Sequence, residues 1–158
     1  MLKQYPLGLF FLPFWLYKGK VYLKEKLAHH VSFNWETLPY REPVLNLIES
    51  ARKSDRPIVL VTASPLAWAT GVANYLACFD DVLATEKSIN LSGKNKVAHL
   101  VKLFGERCFD YAGDSAVDLY VWAHADSAIV VSQNQNLLKQ ATLIAYDVQV
   151  IKWVTLNF

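Results

Sequence analysis

The residues best suited to chemistry fall in three short stretches. Gly113-Asp114-Ser115-Ala116-Val117-Asp118 follows an apolar run and sets two carboxylates one helical turn apart. On a helix they would share a face, and paired hard oxygens of this kind suit Mg²⁺. They also fall at the carboxyl end of a predicted strand, where open α/β sheets bind their ligands. Val59-Leu-Val-Thr62-Ala-Ser64 ends an apolar, β-branched run in two hydroxyls just before Pro65. Hydroxyls and free amides at a strand-to-helix turn make a cradle for phosphate, although Ser and Thr also serve there simply as helix caps. Ser92-Gly-Lys94-Asn-Lys96 opens a helical pattern with two lysines, where the helix dipole disfavours cations. Exposure to solvent accounts for them, and so does an anion bound at the helix start.

The elements that must carry these residues alternate. Gly19–His30 reads as an amphipathic helix, and a second helix within Thr37–Ser54 has Pro43 near its first turn. Ile58–Thr62 is short, continuous and β-branched, the pattern of a strand buried on both faces of a parallel sheet. Ala67–Ala77 reads as a helix, Asp81–Ala84 as a strand, and Lys94–Phe104 as a helix with Val97, Leu100, Val101 and Phe104 on one face. Phe109–Ala112 follows as a strand, Ala116–His124 as a helix and Ser127–Val131 as a strand. Strands alternating with helices predict an α/β fold with a mainly parallel sheet.

Composition narrows the function. A 158-residue chain that is 53% hydrophobic and 19% charged can bury a real core and is not disordered. A net charge of +2, with Lys and Arg scattered among acids, makes no case for nucleic acid. Cys78 and Cys108 lack metal-type spacing and read as buried, reduced thiols of a cytoplasmic protein ahead of a disulfide. The four histidines assemble no metal site, and neither a Gly-rich dinucleotide motif nor a Walker loop is present. Residues 6–17 are apolar or aromatic, too short to span a bilayer as a helix, and lack a following small-x-small cleavage site. They read first as a buried or partner-covered segment and second as one lying on a membrane surface.

In their order along the chain the three stretches resemble the motifs of the haloacid dehalogenase superfamily of phosphohydrolases. The likeness runs from about Leu38 to Val131. It is closest to domains that precede membrane-embedded prenyltransferases of the UbiA type, which look similar in Leu12–Lys20, Leu38-Pro-Tyr, Thr62-Ala-Ser, Asn90-Leu and Phe109-Asp-Tyr-Ala-Gly-Asp. The resemblance implies a three-layer, Rossmann-like α/β fold, with residues 1–36 as a helical, cap-like insertion and 37–158 as the core, the tail from about 133 being unassigned. It implies Mg²⁺-dependent hydrolysis of a phosphate monoester, with a phosphorylated small molecule as substrate. Thr62 and Lys96 would be catalytic, Thr62, Ser64 and Lys96 would bind the phosphate, and Asp114 and Asp118 would hold the metal. Lys94 is the alternative to Lys96.

The resemblance also implies a first motif, Asp-x-Asp-x-Thr, on a central strand ahead of the apolar insertion and so upstream of Met1. The aspartates here are Asp55, Asp80, Asp81, Asp110, Asp114, Asp118, Asp126 and Asp147, and no two of them flank a single intervening residue. The nucleophile is therefore not spelled elsewhere in the chain, and little or no phosphatase activity is expected of it. Three arrangements can satisfy the missing strand's neighbours: the flanking strands close up, a second copy forms a homodimer, or another strand of the chain fills the gap. For the last, Thr142–Asp147 is an apolar run ending in an acid, with Asp147 as a replacement nucleophile. A competing expectation is a non-catalytic binding or regulatory domain. It would dock on a membrane protein or the membrane surface through residues 6–17 and the apolar tail from Trp153 to Phe158.

Overall fold

The computed structural model describes residues 34–86 and 91–152. The predicted helix Gly19–His30, residues 6–17 and the tail beyond Lys152 lie outside them. The described residues form two compact units.

The first unit takes its described residues from 34–39, 51–86 and 91. Its sheet pairs β1 (Val59–Pro65) with β2 (Asp81–Thr85) in parallel, from Val59 opposite Asp81 to Val61 opposite Leu83, with an irregularity before Pro65. The Asp80 carboxylate accepts the Ile58 amide at 2.6 Å at the start of β1. Buried Thr85 ties the far end, donating to the Ala63 carbonyl and accepting from the Leu91 amide, each at 3.1 Å. Helix α2 (Leu66–Leu76) joins the strands and stops at Ala77 in a left-handed conformation. A helical crossover is the usual link between neighbouring parallel strands.

The second unit takes its described residues from 40–50 and 92–152. Its helices are most of α1 (Glu42–Lys53), α3 (Lys94–Phe104), the short α4 (Leu119–Trp122) and α5 (Gln135–Ile144). Its sheet has the order β3-β4-β5, all parallel, from β3 (Tyr111–Gly113), β4 (Ser127–Val131) and β5 (Asp147–Ile151). Leu100, Val121, Trp122, Ala128, Val130 and Ala141 are almost completely excluded from water and form the core. Trp122 also donates its indole N–H to the Tyr111 carbonyl at 3.0 Å, so the largest core side chain leaves no polar atom unpaired.

Several expectations need correction. The strand expected at Phe109–Ala112 pairs only from Tyr111, opposite Ala128, and runs to Gly113. The helix expected over Ala116–His124 is a 3₁₀ turn (Ala116–Asp118) followed by α4. The tail beyond 133 is a further helix and strand, and Thr142–Ile144 closes α5 rather than forming a strand. Strand β5 pairs with β4, on the side of β4 away from β3, so it does not fill a place beside β3. Asp147 begins β5 opposite Ser127, whose hydroxyl it accepts at 3.0 Å, at the amino end of the sheet. Asp114 follows Gly113 at the carboxyl end, so Asp147 is no replacement for a nucleophile there. β1 and β3 belong to separate sheets among the described residues.

Candidate functional site

The site is built on the first turn after β3. Alternation along the strand puts Tyr111 and Gly113 on one face. Ser115 is extended, with φ −130° and ψ 161°, and the 3₁₀ turn that follows brings Asp118 back over Gly113. A Cβ at position 113 would lie 2.7 Å from the Asp118 Cγ. Glycine is needed here for close approach and not for an unusual backbone angle.

Asp118 is buried, at 6% exposure, and its oxygens are fully occupied. Oδ2 accepts from the Ser115 hydroxyl at 2.8 Å and from the amides of Ser115 and Asp114 at 3.1 and 3.2 Å. Oδ1 accepts from the Tyr111 hydroxyl at 3.1 Å and from Lys96 Nζ at 3.3 Å. Burial pushes this carboxyl up, but the Ser115 hydroxyl, the Lys96 charge, the Ser115 amide and the Tyr111 hydroxyl outweigh it. The net effect holds Asp118 below its ordinary value, so it is an anion at neutral pH.

Lys96 comes from the first turn of α3. That helix opens at Gly93, whose φ of +51° and ψ of −127° suit glycine alone. The lysine is 7% exposed, donates to the Tyr111 oxygen at 2.6 Å, and holds its Nζ 5.1 Å from the Tyr111 ring centre. The dipole cost of a cation at a helix start is offset by the facing carboxylate. Burial, and next the Asp118 charge, drive the Tyr111 phenol far above its usual range. It therefore stays protonated, accepting from lysine and donating to aspartate. An ammonium carries three N–H donors; Tyr111 and Asp118 take two, and among the described residues the third has no acceptor. Lys94, the alternative lysine, is exposed and takes no part in this cluster.

Asp114 points elsewhere. Its carboxylate is half exposed and pairs with Arg41 Nη1 at 2.9 Å. Mg²⁺ is commonly held by one or two carboxylates, with water and substrate phosphate completing the octahedron. Asp114, open at the carboxyl end of β3, fits as one such ligand. Asp118 has its lone pairs directed at donors already. Among the described residues no group of three or more His, Cys, Asp or Glu side chains is arranged to hold a metal ion. Thr62 and Ser64 lie at the end of β1 in the first unit, where the Ser64 amide donates to Thr62 Oγ1 at 3.1 Å. A groove of about 520 Å³ lined by Val97, Val101, Tyr120 and His124 includes none of the cluster residues.

Open parallel sheets flanked by helices, with a polar cluster at the carboxyl end of a strand, define a Rossmann-like α/β domain. The chain belongs to the haloacid dehalogenase-like hydrolases, whose family profile matches residues 14–128. It is 41% identical over 120 residues to an uncharacterized protein, y4nM, of Sinorhizobium fredii (strain NBRC 101917 / NGR234). The match covers 76% of this chain and 23% of that protein, so the chain spans about a quarter of its relative's length. No solved structure matches significantly.

Proposed function

We propose that this chain binds phosphate monoesters through the charge-stabilising part of a phosphohydrolase site, and that the 158-residue polypeptide by itself does not hydrolyse them. The observation that carries this reading is the buried Lys96, held between Tyr111 and Asp118 with one donor to spare beside the Asp114 turn. Such an ammonium is already positioned and largely desolvated, and so stabilises charge on phosphoryl oxygens without reorganising. In this reading Asp118 positions Lys96. Asp114 would hold Mg²⁺, which when bound would neutralise charge on the ester. Thr62 and Ser64 keep the phosphate-binding role that the family resemblance gives them. The sequence holds no Asp-x-Asp pair to attack phosphorus and protonate the leaving group. Residues 1–158, purified and given an aryl phosphate with Mg²⁺, should show no turnover above a Lys96→Ala control. Mg²⁺-dependent turnover that Asp114→Asn abolishes would overturn the second half of the proposal.

A second reading, a non-catalytic docking module, draws on Leu143 and Tyr146, which are 84% and 76% exposed. Large apolar side chains so exposed favour an interaction surface. Among the described residues no helix is long and apolar enough to cross a membrane, so the membrane form of this reading concerns surface contact. Liposome co-sedimentation tests it: protein left entirely in the supernatant removes the membrane as the partner.

A further inference from the structure

Helix α5 buries Leu137 and Ala141, one turn apart. Leu143 lies two residues further, about 200° round the helix from Ala141, where the core needs no apolar side chain. It is 84% exposed. Tyr146 follows the helix, 76% exposed, with the Arg107 guanidinium carbon 5.4 Å from its ring centre. Beside them an open groove of about 410 Å³ runs between α4 and α5. Leu119, Tyr120 and Ala123 line one side of it, and Gln140, Leu143 and Ile144 the other. One patch thus carries both an apolar protrusion and an apolar groove. We propose that this patch is the interface of a two-fold homodimer, in which Leu143 of each copy enters the α4–α5 groove of the other. The inference rests on the reading of these side chains as an interaction surface and is independent of phosphate binding.

A second copy is the occupant that the patch itself matches. A two-fold interface uses the same surface on both partners, so that surface must complement itself. Here the protrusion is aliphatic, and the groove beside it is mostly aliphatic and aromatic. No Lys, Arg, Asp or Glu lines the groove, so two copies meet there without opposing like charges. At its margin His124 Nδ1 lies 2.8 Å from the Glu106 carboxylate, and Arg107 stands beside Tyr146, so both signs are present. A net charge of +2 opposes association only weakly. A lipid surface would instead favour basic side chains around an apolar face, and the groove lining offers none. The contact rests on few large side chains and belongs with the small, transient interfaces, so the dimer dissociates on dilution.

The test is sedimentation equilibrium of residues 1–158 from micromolar to submillimolar concentration. The wild type should pass from the mass of one chain toward that of two, and no further. Leu143→Lys should raise the dissociation constant by about a hundredfold or more, because a two-fold contact meets each substitution twice. Its fold should be intact by circular dichroism, since Leu143 is exposed and a cation suits the last turn of a helix. Leu103→Lys, on an exposed apolar residue of α3 outside this groove, should change the constant by no more than about twofold. A single-chain mass throughout, growth beyond two chains, or a dimer that Leu143→Lys leaves intact overturns the proposal. Equal weakening by Leu103→Lys overturns it too. A monomer that sediments with liposomes through Leu143 keeps the interaction surface, but makes the membrane its partner and removes the second copy. A monomer that Leu143→Lys destabilises in urea means that the same chain covers the groove, and this also removes the second copy.

Discussion

Deleting Asp118 should cost more stability than deleting the lysine it faces. Asp118→Ala leaves Lys96 as a buried cation whose one remaining described acceptor is Tyr111. It also strips an acceptor from the Ser115 hydroxyl and amide, the Asp114 amide and Tyr111. Breaking one partner of a buried pair costs about 3–5 kcal/mol, and here the exposed Asp114 and Ser115 can turn to water, which keeps the loss within that range. Lys96→Met instead leaves Asp118 with the Ser115, Asp114 and Tyr111 donors, enough to keep a buried carboxylate ionised. Its cost should be smaller by at least about 1 kcal/mol. The Asp118 contribution also has a pH signature. Its carboxyl is held below the ordinary value of 3.8 in the folded chain, so the unfolded chain binds the proton more readily. The stabilisation is complete above about pH 4 and fades as pH falls through the lower folded value. Urea unfolding followed by circular dichroism at pH 7, then at descending pH, measures both. A loss below about 1 kcal/mol for Asp118→Ala, or a larger loss for Lys96→Met, would refute the reasoning.

Two neighbouring substitutions examine the same turn. Gly113→Ala pushes a methyl group to 2.7 Å from the Asp118 Cγ and should destabilise by about 1–3 kcal/mol in thermal or urea unfolding; wild-type stability would mean that Asp118 does not lie over Gly113. Tyr111→Phe removes the oxygen between Lys96 and Asp118 and should cost about 1–2 kcal/mol. It should also speed hydrogen exchange of the Lys96 ammonium seen by NMR, and unchanged exchange would count against Tyr111 as its positioning residue.

The alternation of strands and helices was legible because apolar periods of two kinds follow one another, and the parallel α/β class came directly from it. The turn chemistry was legible in residue type but not in direction. Spacing Asp114 and Asp118 four apart puts them on one face only if the helix begins at Asp114. Here Ser115 is extended and the turn is 3₁₀, so one acid folds inward to Lys96 and the other faces Arg41. Tyr111 carried a usable signal, being two residues before Gly113 on the same strand face. Arg41 carried none, since nothing local links position 41 to position 114. The last helix was missed although its marks are present: Asn134 caps it by accepting from the Asn136 and Leu137 amides, and Leu137 and Ala141 form its buried face. An apolar run ending in an acid, Thr142–Asp147, has the pattern of a strand as well.

Lys96 as the holder of a phosphoryl group is tested most directly by calorimetric titration of orthophosphate into residues 1–158 at pH 7. Saturable binding at one site should appear in the wild type and weaken by about tenfold or more in Lys96→Met, with circular dichroism showing both proteins folded. Equal phosphate affinity in the two folded proteins, or none in the wild type, would contradict it.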